Sequence, residues 1–251
     1  MLLYHYTSLA GLLGISRSRS LYASAARYLN DSAEIKHFSK LLKAEAHLRK
    51  SSSASEKLIR LYNQFEVWIE QRMIGNWGLV PFVSCFSSNP DQLSQWRGYC
   101  PPGKGISIGF KISDLVASAQ AQKFRFGPCL YDPAAQDQLA REALNDLEAH
   151  LGEYPEDSDP PKWHQSQSFH GLFEAVYPGL IQLACLMKDE SFREESEWRV
   201  VSTPIGDFRN SEIKFRGKRS GPFRRGLIFF ASSVRRGTVQ GSRPVRPGWR
   251  G

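Results

Sequence analysis

The sequence predicts an α+β fold whose core is a largely antiparallel β-sheet. Short runs rich in β-branched and aromatic residues recur along the chain, and helical stretches separate them at uneven intervals. The regular strand–helix alternation of a parallel sheet is absent. We therefore expect one domain from 1 to 251, with helical insertions near 33–75 and 134–185.

The first part of the chain predicts two strands followed by two long helices. Residues 2–7 and 20–24 have strand composition, and a short helix after the first strand has Thr7 or Ser8 as a candidate N-cap. A helix then begins near Asp31 or Ser32. The serine-rich stretch 51–55 interrupts it, and a second helix with a clear apolar stripe follows.

The rest of the chain mixes both kinds of element. Strands are predicted at 80–87 and 105–110, connected by a loop, and a helix is predicted at 134–152. The apolar stretch 169–187 predicts a helix that is interrupted or bent near Pro178. Late strands are predicted to start near residues 197, 211 and 226.

The positive charge of the protein is concentrated at its end. From Ile213 to Gly251 there are eleven Lys and Arg and no Asp or Glu, whereas the rest holds 22 basic and 25 acidic residues. Such a segment can contact nucleic-acid phosphates, or it can be a solvated, partly disordered end. Composition favours the second interpretation for 233–251. We expect a strand over 226–232 and disorder beyond about Gly237.

Several classes of protein are not indicated. No apolar run approaches the ~20 residues that span a bilayer, and the N-terminus does not resemble a signal peptide. Four scattered cysteines without a CxxC pair are typical of a cytoplasmic protein with reduced thiols. The six histidines show no metal-ligand spacing, and no GxSxG motif occurs, so we expect neither a metal nor a serine hydrolase site.

Two acidic residues precede a late strand. Glu195 and Glu197 are two positions apart, so on an extended chain they point the same way, while Trp198 and Val200 share the opposite face. This places Glu197 at the edge of the core, where partial burial and nearby charge can tune a catalytic carboxylate. The alternative is a salt bridge with Arg199 or Arg193 on a surface strand.

The loop before the strand at 105–110 is also unusual. Trp96 and Arg97 precede a Pro-Pro-Gly turn, and Gly103-Lys104-Gly105 can present backbone N–H groups and a cation to a phosphate. The helix that follows a P-loop is missing. A plain hairpin connection whose tryptophan covers the core explains the same residues.

Four blocks in order resemble a bacterial family, domain-of-unknown-function family 2971. They are LYHYTSLAGLLGI, SLYASAARYLNDSAE, FVSCFSSNPDQLSQWRGYCPPGKGISIGF and SFREESEWRVV. That family is similar to the ADP-ribosyltransferase-like superfamily. The resemblance covers about 2–217 and implies a small sheet split around an NAD cleft, with His, Tyr and Glu motifs on separate strands.

The resemblance also implies roles for individual residues. His5, followed by Tyr6 and Thr7, matches the first-strand motif that bonds the adenosine ribose. Tyr22 and Tyr28 match aromatic positions beside the nicotinamide. Glu197 matches the catalytic glutamate, with Glu195 as in arginine-modifying relatives. Trp96 and Arg97 are expected beside NAD, where the positive charge of Lys104, Arg97 or Arg27 can compensate that of the pyrophosphate.

The implied function is NAD-dependent transfer of ADP-ribose to a macromolecular acceptor, protein or nucleic acid. NAD is then a substrate and no metal is required. A bacterial toxin or antiphage effector fits this chemistry, with an antitoxin among the candidate partners. Two alternatives remain: a catalytically silent module that binds nucleic acid or protein, and an NAD glycohydrolase.

Overall fold

A computed structural model describes residues 1–26, 33–75, 79–153 and 168–206 with their side chains. It also describes the backbone of three further strands, at 213–218, 221–230 and 239–241. Arg27, the expected site residue Tyr28 and most of the basic end lie outside the described residues, so the expectations about them stay predictions.

The described residues form nine strands and seven α-helices. The strands are β1 Leu2–Ser8, β2 Ser20–Ala25, β3 Phe82–Ser87, β4 Gly105–Lys111, β5 Arg125–Pro128, β6 Glu197–Val201, β7 Ile213–Lys218, β8 Gly221–Phe230 and β9 Val239–Gly241. The helices are α1 Leu9–Ser18, α2 Ala33–Ser52, α3 Glu56–Ile69, α4 Leu93–Tyr99, α5 Ile112–Ala121, α6 Pro133–Ala149 and α7 His170–Ala184. A π-helical turn, Glu70–Gly75, continues α3, and 3₁₀ segments lie at His150–Gly152 and Glu190–Glu195.

Six strands run side by side as an open sheet in the order β5-β6-β3-β1-β4-β9. β2 joins β3 as well and continues through β8 to β7. Every one of these strand pairs is antiparallel. The predicted α+β class with a largely antiparallel sheet is therefore confirmed.

The sheet opens along one edge of β3. β6 pairs with all of Val83–Ser87, so β1 and β2 share the other edge. β2 pairs with Phe82 and Val83, whereas β1 pairs only with Ser87, through Tyr4. Between these two pairings, over residues 84–86, side chains rather than backbone hydrogen bonds join β3 to β1 and β2. Ser84 Oγ donates to Tyr22 O at 3.2 Å, and His5 Nδ1 lies 3.0 Å from Cys85 O.

The sheet has apolar layers on both faces, as alternating side chains require. On one face Val83, Cys85 and Val201 join a large core built mainly by α2, α3, α6 and α7. On the other, Leu3, Phe86, Ile108 and Val200 pack with α1 and α5. Trp198 and Val200 share this second face, as the strand pattern predicted.

Local sequence explains where the first helices begin. Ser8 is the N-cap of α1 and accepts from Gly11 N at 3.1 Å, and Ser55 caps α3. Gly11 has a second role, because a Cβ there would lie 2.0 Å from Thr7 Oγ1. Glycine thus lets the end of β1 pack directly against α1.

Several local expectations need correction. The stretch predicted as a loop before β4 contains α4, and α5 and β5 carried no prediction. α7 continues through Pro178, so the helix is not interrupted there, and buried residues on both sides of the proline pack into the core. The expected disorder beyond about Gly237 does not hold at β9, which pairs with β4.

Candidate functional site

Five charged side chains form a largely buried group, which we call the charge cluster. Its members come from three parts of the chain, the first turn of α2, the segment between α7 and β6, and β6 itself: Glu34, Lys188, Glu195, Glu197 and Arg199. Glu197 and Arg199 have no solvent exposure, and Lys188 is 3% exposed. Buried charges of this kind are tolerated only when they are paired.

Glu197 is held by several donors at once. Arg199 Nε donates to its Oε1 at 3.1 Å and Arg199 Nη2 to its Oε2 at 3.2 Å. Lys188 Nζ donates to Oε2, and the nearby Cys85 thiol also helps to lower the pKa of this carboxylate. The guanidinium fork fixes the orientation of the carboxylate.

These contacts decide the charge state of Glu197. Burial alone would raise its pKa, but Arg199 and Lys188 outweigh burial and lower the pKa from 4.5 to about 2. Glu197 is therefore ionised at neutral pH. It can stabilise positive charge but cannot serve as a proton donor there.

The two cations have further partners. Arg199 Nη1 donates to Glu34 Oε2 at 2.6 Å and to Cys185 O at 2.7 Å, which ties β6 to α2 and to the end of α7. Lys188 donates to Glu195 as well as Glu197. Burial opposes the charge of Lys188, but Glu197 more than compensates and raises its pKa.

The sequence placed the acidic pair only partly correctly. Glu197 lies deep in the core rather than at its edge. It forms the salt bridge with Arg199 that the alternative interpretation expected, but this salt bridge is buried and not on the surface. Arg193 pairs with Glu190 instead. Glu195 ends a 3₁₀ segment, and Ser196 follows in the left-handed region at φ 44, so the chain between the two acidic residues is not extended. The two carboxylates converge because both accept from Lys188 Nζ.

His5 lies where the sheet opens. A carbonyl only accepts, so Nδ1 must carry the proton and donate to Cys85 O, which leaves Nε2 as an acceptor. Burial lowers the pKa of the ring, which favours this neutral form. His5 pairs with Ile108 and contacts Phe86, so it lies on the α1 and α5 side of the sheet.

Tyr6 and Thr7 connect β1 to the segment around α4. The Tyr6 hydroxyl donates to Asn89 O at 2.6 Å and accepts from Gln92 N at 2.9 Å, just before α4. Thr7 O accepts from Cys100 Sγ at 3.3 Å, just after it. Both residues thus hold α4 against β1.

Trp96 and Arg97 lie on α4. Trp96 Nε1 donates to Asp91 at 2.7 Å, and its ring packs edge-on against Tyr6 with 4.7 Å between centroids. Both residues line an open pocket of about 330 Å³ with the Pro-Pro-Gly turn. Lys104 is exposed nearby.

The expected residues do not meet in one described cavity. The pocket at α4 takes Trp96 and Arg97 but none of His5, Tyr22 and Glu197. Tyr22 is in the middle of β2, and its pairing with Ile228 places it beside β8. Cys85 is the link between two of them, because its carbonyl meets His5 and its thiol meets Glu197.

Lys188, Glu34, Cys85, Tyr99 and Tyr131 belong to this region without having been predicted as site residues. Tyr99, at the end of α4, is 42% exposed as a whole residue. The pKa of its hydroxyl is nevertheless raised well above the ordinary value, first by Cys85, then by burial of the hydroxyl and by Glu197. The Tyr131 hydroxyl accepts from Glu197 N at 2.8 Å. Tyr99 stood in the unusual loop as a possible signal, whereas nothing in the sequence marked Tyr131.

The described residues also bear on metal binding and on membrane insertion. Across the described ranges, no group of three or more His, Cys, Asp or Glu side chains is arranged to hold a metal ion. In those ranges there is also no helix with the length and apolarity that crossing a bilayer requires. All four cysteines are free.

Comparison with known proteins agrees with part of the expected relationship. No curated protein and no solved structure matches the chain. Residues 95–200, which run from α4 to β6, match the model of a family described as a protein of unknown function (DUF2971), and this supports the expected resemblance to that family over these residues.

Proposed function

We propose that the protein is an NAD-dependent ADP-ribosyltransferase that acts on a macromolecular acceptor. The observation that carries the proposal is the arrangement of two strands around β3. β1, with His5, and β6, with Glu197, lie on opposite edges of β3, and the sheet opens between β1 and β3. The two side chains face opposite sides of the sheet, so an extended ligand such as a dinucleotide would reach both only by passing through this opening.

The state of His5 supports contact with a ribose. Its Nε2 carries a lone pair because Nδ1 donates to Cys85 O. A ribose hydroxyl is a donor that this nitrogen accepts. Because burial lowers the pKa of His5, the ring keeps that form at neutral pH.

The state of Glu197 supports the bond cleavage. In this reaction the bond from ribose C1′ to nicotinamide breaks, the electron pair leaves with the nicotinamide nitrogen, and C1′ becomes positive. A fixed, ionised carboxylate stabilises that charge. The acceptor atom then bonds to C1′ and loses a proton, for which Glu195, whose side chain is 14% exposed, is the more accessible carboxylate.

Lys188 is the residue that has to move in this mechanism. Glu197 has no solvent exposure, so a ribose hydroxyl reaches its carboxylate only if a side chain beside it moves aside. Lys188 can leave Glu197 and keep Glu195 as a partner, which avoids an unpaired buried charge. Arg199 has no such freedom, because it also holds Glu34.

The test follows both halves of the substrate. The purified protein is incubated with NAD labelled in the adenine, with and without cell lysate, and nicotinamide release is measured in parallel. Transfer predicts nicotinamide release with label on protein or nucleic acid. Nicotinamide release without labelling of a macromolecule identifies a glycohydrolase. If the protein neither releases nicotinamide nor binds NAD, the transferase and glycohydrolase functions are both refuted and a binding module is favoured.

Variants separate chemistry from folding. Glu195→Gln and Tyr99→Phe change groups beside Glu197 without removing a fully buried charge, and we expect each to lower turnover while the thermal midpoint stays near wild type. Glu70→Gln is the matched control, because Glu70 is 56% exposed in a surface pair with Lys43. Turnover equal to wild type in both test variants would remove these residues from the mechanism.

A further inference from the structure

A second cavity, of about 690 Å³, lies beside the charge cluster. It is bounded by the first two turns of α2, the start of α6 and the segment after α7. The predicted NAD-contacting residues within the described part of the chain are not among those that line it. Its volume falls in the range of sites that hold small molecules of nucleotide size.

Two lysines give one wall of this cavity a positive charge. Lys36 and Lys40 are one helical turn apart on α2, and both are exposed. In the described ranges neither ammonium has an ion-pair partner, whereas the next lysine, Lys43, pairs with Glu70 at 2.7 Å. Because Lys36 and Lys40 repel each other across one turn, they slightly destabilise α2 when no ligand is bound. An anion between the two ammonium groups removes that repulsion.

Tyr131, a neutral hydrogen-bond donor, lines the cavity together with Lys188 of the charge cluster. The Tyr131 hydroxyl accepts from Glu197 N at 2.8 Å, so its own proton points elsewhere. Burial raises the pKa of Tyr131, so the group stays a donor. Gln136 holds the surrounding loops, because its amide donates to Leu130 O at 2.6 Å and to Lys188 O at 3.0 Å.

The acidic residues of the cavity already have partners. Glu34 is held by Arg199. Asp189 accepts from Ser191 N at 2.9 Å, and Glu190 pairs with Arg193 at 3.0 Å. Among the described lining residues, Lys36 and Lys40 are therefore the cations left for a ligand, whereas the hydrogen bonds from Ser191 leave Asp189 with its negative charge.

We infer that this cavity binds a phosphate-bearing small molecule of nucleotide size, with its phosphates between Lys36 and Lys40 and a hydrogen bond from Tyr131. Ammonium groups and a hydroxyl suit phosphate oxygens, which accept several hydrogen bonds. The inference goes beyond the proposed function, because the cavity is separate from the opening between β1 and β3.

Calorimetric titration of the full chain with ADP and with inorganic pyrophosphate tests the inference. Wild type should bind at least one of them, and Lys36→Ala/Lys40→Ala should bind it about tenfold or more weakly. The matched control, Lys57→Ala/Lys111→Ala, removes two exposed lysines elsewhere and should stay within about twofold. Tighter binding of ADP than of pyrophosphate assigns a nucleotide, and equal binding assigns the phosphates alone.

Three results would overturn the inference. Wild type that binds neither probe has no such site. Equal weakening in the control pair indicates general electrostatic attraction. A parallel loss of NAD turnover in Lys36→Ala/Lys40→Ala, with an unchanged thermal midpoint, makes this the NAD site itself. If wild type turns over no NAD, the proposed function fails while the binding result stands by itself.

Discussion

The substitution Glu197→Gln removes one charge from the centre of the charge cluster. Glu197 has no exposure, and its folded pKa of about 2 is well below its ordinary value of 4.5. Because one pKa unit corresponds to about 1.4 kcal/mol, the ionised carboxylate contributes about 3 kcal/mol at neutral pH. Glutamine also leaves Arg199 and Lys188 with less compensation, so we expect a loss of about 3–5 kcal/mol.

The effect should depend on pH in a defined direction. A lowered folded pKa gives stability that is fully present above about 4.5 and is lost as the pH falls towards 2. Wild type should therefore lose stability over this interval, and Glu197→Gln should lose less. Urea unfolding at pH 7 and pH 3 measures both differences.

A surface pair provides the matched control. Glu70→Gln breaks the exposed contact with Lys43 and should change the free energy of unfolding by less than about 1 kcal/mol. If Glu197→Gln is as stable as Glu70→Gln at pH 7, the buried ion pairs do not stabilise the fold and the reasoning is wrong. NAD turnover is interpretable only in samples of Glu197→Gln that remain folded.

Three further predictions follow from other contacts. His5→Leu should lower the free energy of unfolding by about 1–3 kcal/mol because it leaves Cys85 O without its donor, and His5→Asn, which can still donate, should lower it less. Because burial lowers the pKa of His5, wild type should also lose stability below pH 6.5 through this group. His5→Asn should not show this loss, and acid unfolding curves of both proteins would reveal the difference. Tyr6→Phe should lower the free energy of unfolding by about 1–2 kcal/mol in urea, because Asn89 O and Gln92 N both lose a partner, and a change near zero would contradict that role. Truncation after Arg216 removes β8 from the edge of β2 and should leave the chain insoluble or with a clearly lower thermal midpoint, whereas an unchanged midpoint would mean that this pairing is dispensable.

Much of the element order could be predicted because local patterns determine it. The alternation in β6 identified the face of Trp198 and Val200, and the serines before α1 and α3 are caps whose side chains act on the next turn. α4 could not be predicted in the same way. Its position depends on Tyr6, 83 residues before Asn89, and the sequence near α4 does not record that contact.

The sequence by itself determined that Glu195, Glu197 and Arg199 are close along the chain and that the chain mixes strands with helical insertions. Only the tertiary structure decided the charge state and depth of Glu197. Lys188 and Cys85 reach it from other elements, and Glu34, 165 residues from Arg199, completes the cluster. Local periodicity reports which face of an element is buried, whereas the pKa of a buried group depends on every charge around it, most of them distant in sequence.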